Sequence, residues 1–225
     1  MKVTCHKVDL KLPRSKHERS VGVHLSGIIR CVAQETGILK RELLEELSLI
    51  DVNQDSWWAS LDSYSQARIC MGLAWEEWYI GTQIPDVVDH PGEMQVDGVY
   101  MTPDGESLDV LWVSDKPQWG LRLHECKLSY KSMNTVGWIP GTFDSDKDPH
   151  CPLASEFMWN AQTKGYCYGA GTRFVDLHVL FVCGDYSWPQ RPVPCRYEVE
   201  YTDEEILNNW EMLRNYKQDF EETHR

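Results

Sequence analysis

The stretch LRLHECKLSY, residues 121–130, decides how this chain is read. Its leucines mark a strand entering a core, yet it carries Glu125 and Lys127 with them. Charged side chains are rarely buried unless something pairs with them. Side chains on a strand alternate between faces, so Glu125 and Lys127 share one face and His124 takes the other. The pair suits either a site or a surface salt bridge at a strand end, and the spacing alone does not separate the two.

The neighbouring segments predict a sheet around this strand. EMQVDGVYMT (93–102) alternates and runs into Pro103-Asp104-Gly105, a turn signal. SLDVLWVS (107–114) reads as the next strand, DKPQWG (115–120) as a turn, and LRLHECKL as the third strand of an antiparallel meander. In that arrangement Asp97 lies on a strand near Glu125. Further along, VDLHVLFVCG (175–184) and RYEVEYT (196–202) read as strands.

Helices flank them. SGIIRCVAQETG (26–37) and ILKRELLEELSLI (38–50) are amphipathic, and residues 62–80 form a helix capped by Asp62 or Ser63. Residues 152–171 form another, opening near Pro152 and closing at Gly169 or Gly171. Thr202 and Glu205 make a capping box for a final helix reaching about His224. Residues 129–151, rich in Gly, Pro, Asp and Ser, read as a long loop of the kind that carries function. The order predicts an α/β (α+β) fold, a central mixed sheet flanked by helices, in a single domain over 1–225 with an N-terminal helical region at about 1–60.

With 225 residues and 42% apolar composition the chain can build a sizeable core. No run of about 18 apolar residues is present, and the polar, basic N-terminus lacks the apolar stretch of a signal peptide. Eight scattered cysteines without a CxxC pair suit a reducing cytoplasm. The net charge of −13 opposes a nucleic-acid partner at first sight. Two blocks run against it: residues 1–30 carry +5 and residues 116–173 carry +2.

Asp97 facing Glu125 would raise both carboxyl pKa values, and a divalent cation bound by their oxygens would relieve the repulsion. Lys127 beside them could hold an attacking water or a charged phosphate. Together these parts suit metal-assisted hydrolysis of a phosphodiester. Trp57, Trp58 and Trp138 could stack on bases or pack inward. His90 reads as a turn residue, and Asp109 as a weaker candidate for the site.

Asp97-Gly98, a hairpin and then Glu125-Cys126-Lys127 resemble the PD-(D/E)XK nuclease superfamily. Gln162-Thr163-Lys164-Gly165-Tyr166 resembles the QxxxY helix motif of its RecB-like branch, and Gly72-Leu73-Ala74-Trp75-Glu76 its upstream Gly-xxx-Glu helix, also found in phage lambda exonuclease-like enzymes. The resemblance implies a restriction-endonuclease-like core and one or two Mg²⁺ or Mn²⁺ ions. Asp97 and Glu125 would be direct ligands, with the Cys126 carbonyl on that edge. Glu76 would add a third carboxylate, with Glu77 its rival in helix phase. Lys127 would orient the nucleophilic water, with Gln162 and Tyr166 positioning it. Lys131, Lys164 and Arg173 would meet DNA phosphates, along with Lys147 and the basic arm Lys11–Arg19.

The implied activity is a metal-dependent deoxyribonuclease processing DNA ends in phage-type recombination or repair. A structure- or sequence-specific endonuclease, or an idle DNA- or partner-binding member, are the alternatives. A recombination partner protein and a homo-oligomer are further expectations. Trp75 replaces the histidine that many RecB-like members carry before the helix glutamate. Cys31 could be the early ligand of an iron–sulfur cluster, but the late cysteine trio of cluster-binding members is absent.

Overall fold

A computed structural model describes residues 20, 22–40, 54–84, 86–89, 91–113, 116–134 and 153–223. The expected helix at 38–50, the basic arm, His90, Trp138, Lys147 and most of the 129–151 loop lie outside the described residues. In chain order the elements are β1 (Val23–His24), α1 (Leu25–Glu35), α2 (Gln54–Ser60), α3 (Ser63–Gln83), β2 (Val88–Asp89), β3 (Met94–Val96) and β4 (Val99–Met101). There follow β5 (Gly105–Val113), β6 (Lys116–Ser129), α4 (Phe157–Ala170), β7 (Phe174–Phe181), β8 (Val193–Glu200) and α5 (Asp203–Thr223).

The strands form two mixed sheets. The larger is ordered β2-β5-β6-β7-β8, with β6 and β7 parallel and the other pairs antiparallel. A parallel pair needs a crossover, and α4 supplies it. The smaller sheet is β1-β4-β3. The expected meander is thereby corrected. Residues 94–101 do not pair with β5; they fold into their own hairpin in the smaller sheet. Asp97 and Gly98 are its two-residue turn, at φ of 52° and 74°. Asp-Gly at two positive-φ positions is the favoured chemistry of a tight hairpin, and it overrides the alternation that made 93–102 look like one strand. Conversely, residues 116–120 are strand, because β6 starts at Lys116.

The caps explain the helix limits. The Asp62 carboxylate accepts the Ser65 N–H at 2.6 Å, starting α3. Gly171, at φ 65°, ends α4 in the left-handed region. Thr202 and Glu205 exchange hydrogen bonds before α5, Thr202 N–H donating to Glu205 Oε2 at 2.8 Å and Glu205 N–H to Thr202 Oγ1 at 3.2 Å.

Side-chain alternation on β6 and β7 then builds two cores. Leu123 and Val175 face α1, α4 and α5, where Leu25, Ile28, Trp210 and Leu213 are buried. On the other face Trp75 and Ile80 of α3 cover Cys126, with Leu128 and Leu180 packed alongside. Trp57 and Trp58 are buried with their rings 6.3 Å apart, so they pack inward. Among the described residues no helix is long and apolar enough to cross a membrane.

Candidate active site

The site forms where β5 stops and β6 continues. Gly105, the first residue of β5, pairs with His124, so Glu125 to Ser129 run past it. Among the described residues, their edge toward β5 has no strand partner. Asp104, just before β5, fills part of the gap: its Oδ2 accepts the Cys126 N–H at 2.7 Å. A residue's N–H and C=O leave a strand on the same side, so the Cys126 carbonyl points to this edge too. The Cys126 side chain goes into the core against α3.

Glu125 is 1% exposed. Its Oε1 accepts from Lys127 Nζ, while its Oε2 is buried without a hydrogen-bond partner among the described residues. Lys127 Nζ also donates to Gln162 Oε1 at 3.0 Å, and Gln162 Nε2 donates to Tyr166 Oη at 2.7 Å. The four-residue spacing of Gln162 and Tyr166 places both on one face of α4, so a single chain of contacts runs from Glu125 to the buried Tyr166.

Burial raises the pKa of both carboxyls. Glu125 is pushed up first by desolvation and then by Asp104; Asp104 by desolvation and then by Glu76. Desolvation disfavours the Lys127 ammonium, but Glu125 and Asp104 outweigh it and its pKa is raised. Glu76 thus faces the site from α3, partly buried, whereas Glu77 is exposed.

Asp97 does not meet Glu125. Its carboxylate accepts Trp210 Nε1–H at 2.9 Å, Arg214 lies 3.9 Å away, and its carbonyl accepts from Lys217 Nζ at 2.7 Å. Those partners all belong to α5, so Asp97 ties the small hairpin to the last helix. Asp104 stands where Asp97 was expected. In the sequence it was hidden in Pro103-Asp104-Gly105, whose composition is that of a turn.

Two of the expected phosphate contacts are also displaced. Lys164 is buried, its Nζ 5.2 Å from the centroid of the Tyr201 ring. Arg173 pairs with Glu200 at 3.2 Å, four residues before Leu177, which is level with Glu125. Lys131 Nζ pairs with Glu156 but stays half exposed. Asp109 is drawn off by Arg122, 3.0 Å away.

On the opposite face His124, Asp176 and His178 converge. His124 Nε2 meets Ser107 Oγ at 2.8 Å and its Nδ1 meets His178 Nε2 at 3.1 Å. Burial lowers their pKa values to about 4 and about 3, so both rings are neutral at pH 7. Asp176 is engaged by Arg122 at 2.7 Å and by Arg196 at 2.6 Å. Two guanidiniums on the one carboxylate disfavour a further cation there, so the cluster reads as a buried polar seam. The donor set around Glu125 fits a cation better: a buried carboxylate oxygen without a hydrogen-bond partner among the described residues, beside a second carboxyl and a strand carbonyl, is an all-oxygen arrangement that would suit a hard divalent ion.

No family model and no curated protein matches the chain. Solved structures similar to it include two exonucleases. One is a phage-related exonuclease from Haemophilus somnus 129PT, at 12% identity and TM-score 0.48, covering 88% of this chain and 92% of that one. Another is an alkaline exonuclease from Laribacter hongkongensis, at 14% identity and TM-score 0.45, covering 90% and 89%. A complex of the latter with dAMP matches at 16% identity and TM-score 0.41, with the same coverage of both chains.

Proposed function

We propose that this chain is a divalent-metal-dependent deoxyribonuclease that hydrolyses phosphodiester bonds, acting from DNA ends. The observation that carries the reading is Glu125, buried beside Asp104: its Oε1 accepts from a lysine that Gln162 fixes, and its Oε2 has no hydrogen-bond partner among the described residues. Two buried carboxyls share one lysine there, and a divalent cation between them would relieve the charge that burial and their mutual repulsion disfavour.

Asp104, Glu125 and the Cys126 carbonyl would hold Mg²⁺ or Mn²⁺, with Glu76 approaching from α3. The ion would supply Lewis-acid activation of water and charge stabilisation at the phosphate. Lys127 does the rest of the positioning. Glu125 and Gln162 hold two of its three N–H directions, which leaves one donor for the attacking water or a phosphate oxygen. Glu125 and Asp104 raise the Lys127 pKa against the pull of burial, which suits an orienting and charge-stabilising role. Tyr166 fixes the Gln162 amide so that its oxygen, not its nitrogen, faces the lysine.

End-directed action, a role in recombination and a cytoplasmic setting belong to the same proposal. Incubating the protein with end-labelled linear DNA and with closed circles, each with Mg²⁺ or Mn²⁺, tests it. Loss of the linear substrate alone is expected. Cleaved circles would make it an endonuclease, and no cleavage of either would overturn the nuclease reading.

A further inference from the structure

Between α3 and the open edge of β6 runs a groove of about 420 Å³, bordered by Arg68, Gly72, Glu76, Cys126 and Lys127. Its inner end is the candidate active site. Its outer end is Arg68, whose guanidinium lies 4.3 Å from the Tyr130 ring centroid and 5.6 Å from that of Tyr64. Among the described residues no carboxylate pairs with Arg68, so its charge is presented by two aromatic faces and not neutralised. Tyr130 is pinned by its hydroxyl donating to Met71 Sδ at 3.2 Å, and Tyr64 is 62% exposed. The floor between the ends is bare: a Cβ added at Gly72 would meet no atom within 4 Å.

We propose that this groove seats a single strand of nucleic acid, with Arg68 holding a backbone phosphate and Tyr64 and Tyr130 offering their rings to unpaired bases. The proposal rests on the nuclease reading for its purpose but not for its geometry. Arg68 and Glu76 are eight residues apart on one helix, roughly 12 Å of axis. That is about three to four nucleotides at the rise of a duplex strand, and fewer for an extended single strand. A strand lying in the groove would thus be anchored a few nucleotides from the bond presented to Lys127. An exposed and a half-buried ring beside an arginine suit unpaired bases, whose faces are free to stack, better than a duplex, whose faces are occupied. The anchor also answers how a chain of net charge −13 keeps hold of a polyanion: a cation is placed at the groove, and among the described residues no carboxylate pairs with it.

The test is direct binding of a 3′-labelled 12-nucleotide single strand, followed by anisotropy over a KCl series in EDTA, where nothing is cut. Arg68→Ala should weaken binding and lower the slope of log K against log salt by about 0.7, one single-strand phosphate contact. Arg68→Lys should restore the slope. Tyr64→Ala with Tyr130→Ala should cost about five-fold or more for each base unstacked, and should leave binding of a 12-base-pair duplex nearly unchanged. Gly72→Leu fills the groove while improving helix propensity, so it should weaken binding in a protein at least as stable as the parent. Unchanged affinity and slope in Arg68→Ala, or unchanged binding in Gly72→Leu, overturns the groove. So does equal loss for duplex and single strand, or no binding by the parent protein. If the parent cuts DNA while these variants bind normally, the nuclease reading stands without the groove. If binding depends on Arg68 but nothing is cut with Mg²⁺ or Mn²⁺, the groove stands and the nuclease reading falls.

Discussion

Two aspartates at the start of the sheet carry opposite consequences at the scale of single residues. Asp104 is held at the site with its pKa raised to about 7, so its charged form is disfavoured where it sits. Asp104→Asn keeps an oxygen to accept the Cys126 N–H and removes the charge. Cleavage should be lost by at least about a hundredfold, as expected of removing a metal ligand's charge from a phosphoryl-type site. Asp97→Ala should do the reverse. It leaves the buried Trp210 N–H without its acceptor and puts alanine at φ 52°, for a loss of about 1–2 kcal/mol with cleavage retained. Urea unfolding and a cleavage assay on both variants settle the assignment, and active Asp104→Asn protein would reject it. Glu125, Lys127, Gln162 and Tyr166 were legible because alternation on a strand and four-residue spacing on a helix are local rules. Asp104 was not. Its role depends on where β5 stops against β6, a long-range register, while its composition matched a turn.

Phase and length decide what each element delivers. Trp75 and Ile80 point α3 into the core, and the helix turn between them and β6 leaves Glu76 facing the site and Glu77 facing solvent. Sequence left that choice open, because a helix face is uncertain by one residue until its partner sheet is known. Glu76→Gln should weaken Mn²⁺ binding several-fold in calorimetry, and Glu77→Gln should leave it unchanged; matching losses would mean the helix is rotated. On α4, Gln162 is a positioning residue. Gln162→Ala should lower kcat about tenfold with little change in KM and alter the alkaline limb of the pH–rate profile, since Lys127 loses one of its two anchors. Tyr166→Phe should fall between this variant and the parent. A Gln162→Ala enzyme with an unaltered pH profile would make the contact merely structural. The capping of α3 and α5 was legible for the same local reason as the motif, whereas the smaller sheet was not, because a two-residue turn split a segment whose alternation looked continuous.

For the whole molecule, the site is a source of instability that the metal should relieve. Asp104 and Glu125 both have folded pKa values above their ordinary ones, so across the window from about 4 to about 8 the folded state binds more protons than the unfolded. Stability from this pair therefore falls as pH rises through that window. His124 and His178 act the other way: held neutral, they add stability as pH climbs toward 6.5 and nothing beyond it. Between pH 7 and pH 8 only the carboxyl effect remains of the two. In EDTA at pH 8, Asp104→Asn should therefore melt higher than the parent by at least about 2 °C, the shift of roughly 1 kcal/mol in a chain of this size, and the gap should close by pH 5. Adding Mn²⁺ should raise the melting temperature of the parent, because an ion that binds only the folded state stabilises it. The rise should be larger at pH 8 than at pH 6, where the ion must first expel a proton from the pair. Asp104→Asn should respond to Mn²⁺ weakly at either pH. An equal response from the variant, or none from the parent at pH 8, would mean the buried carboxyls serve the fold and that no ion belongs between them.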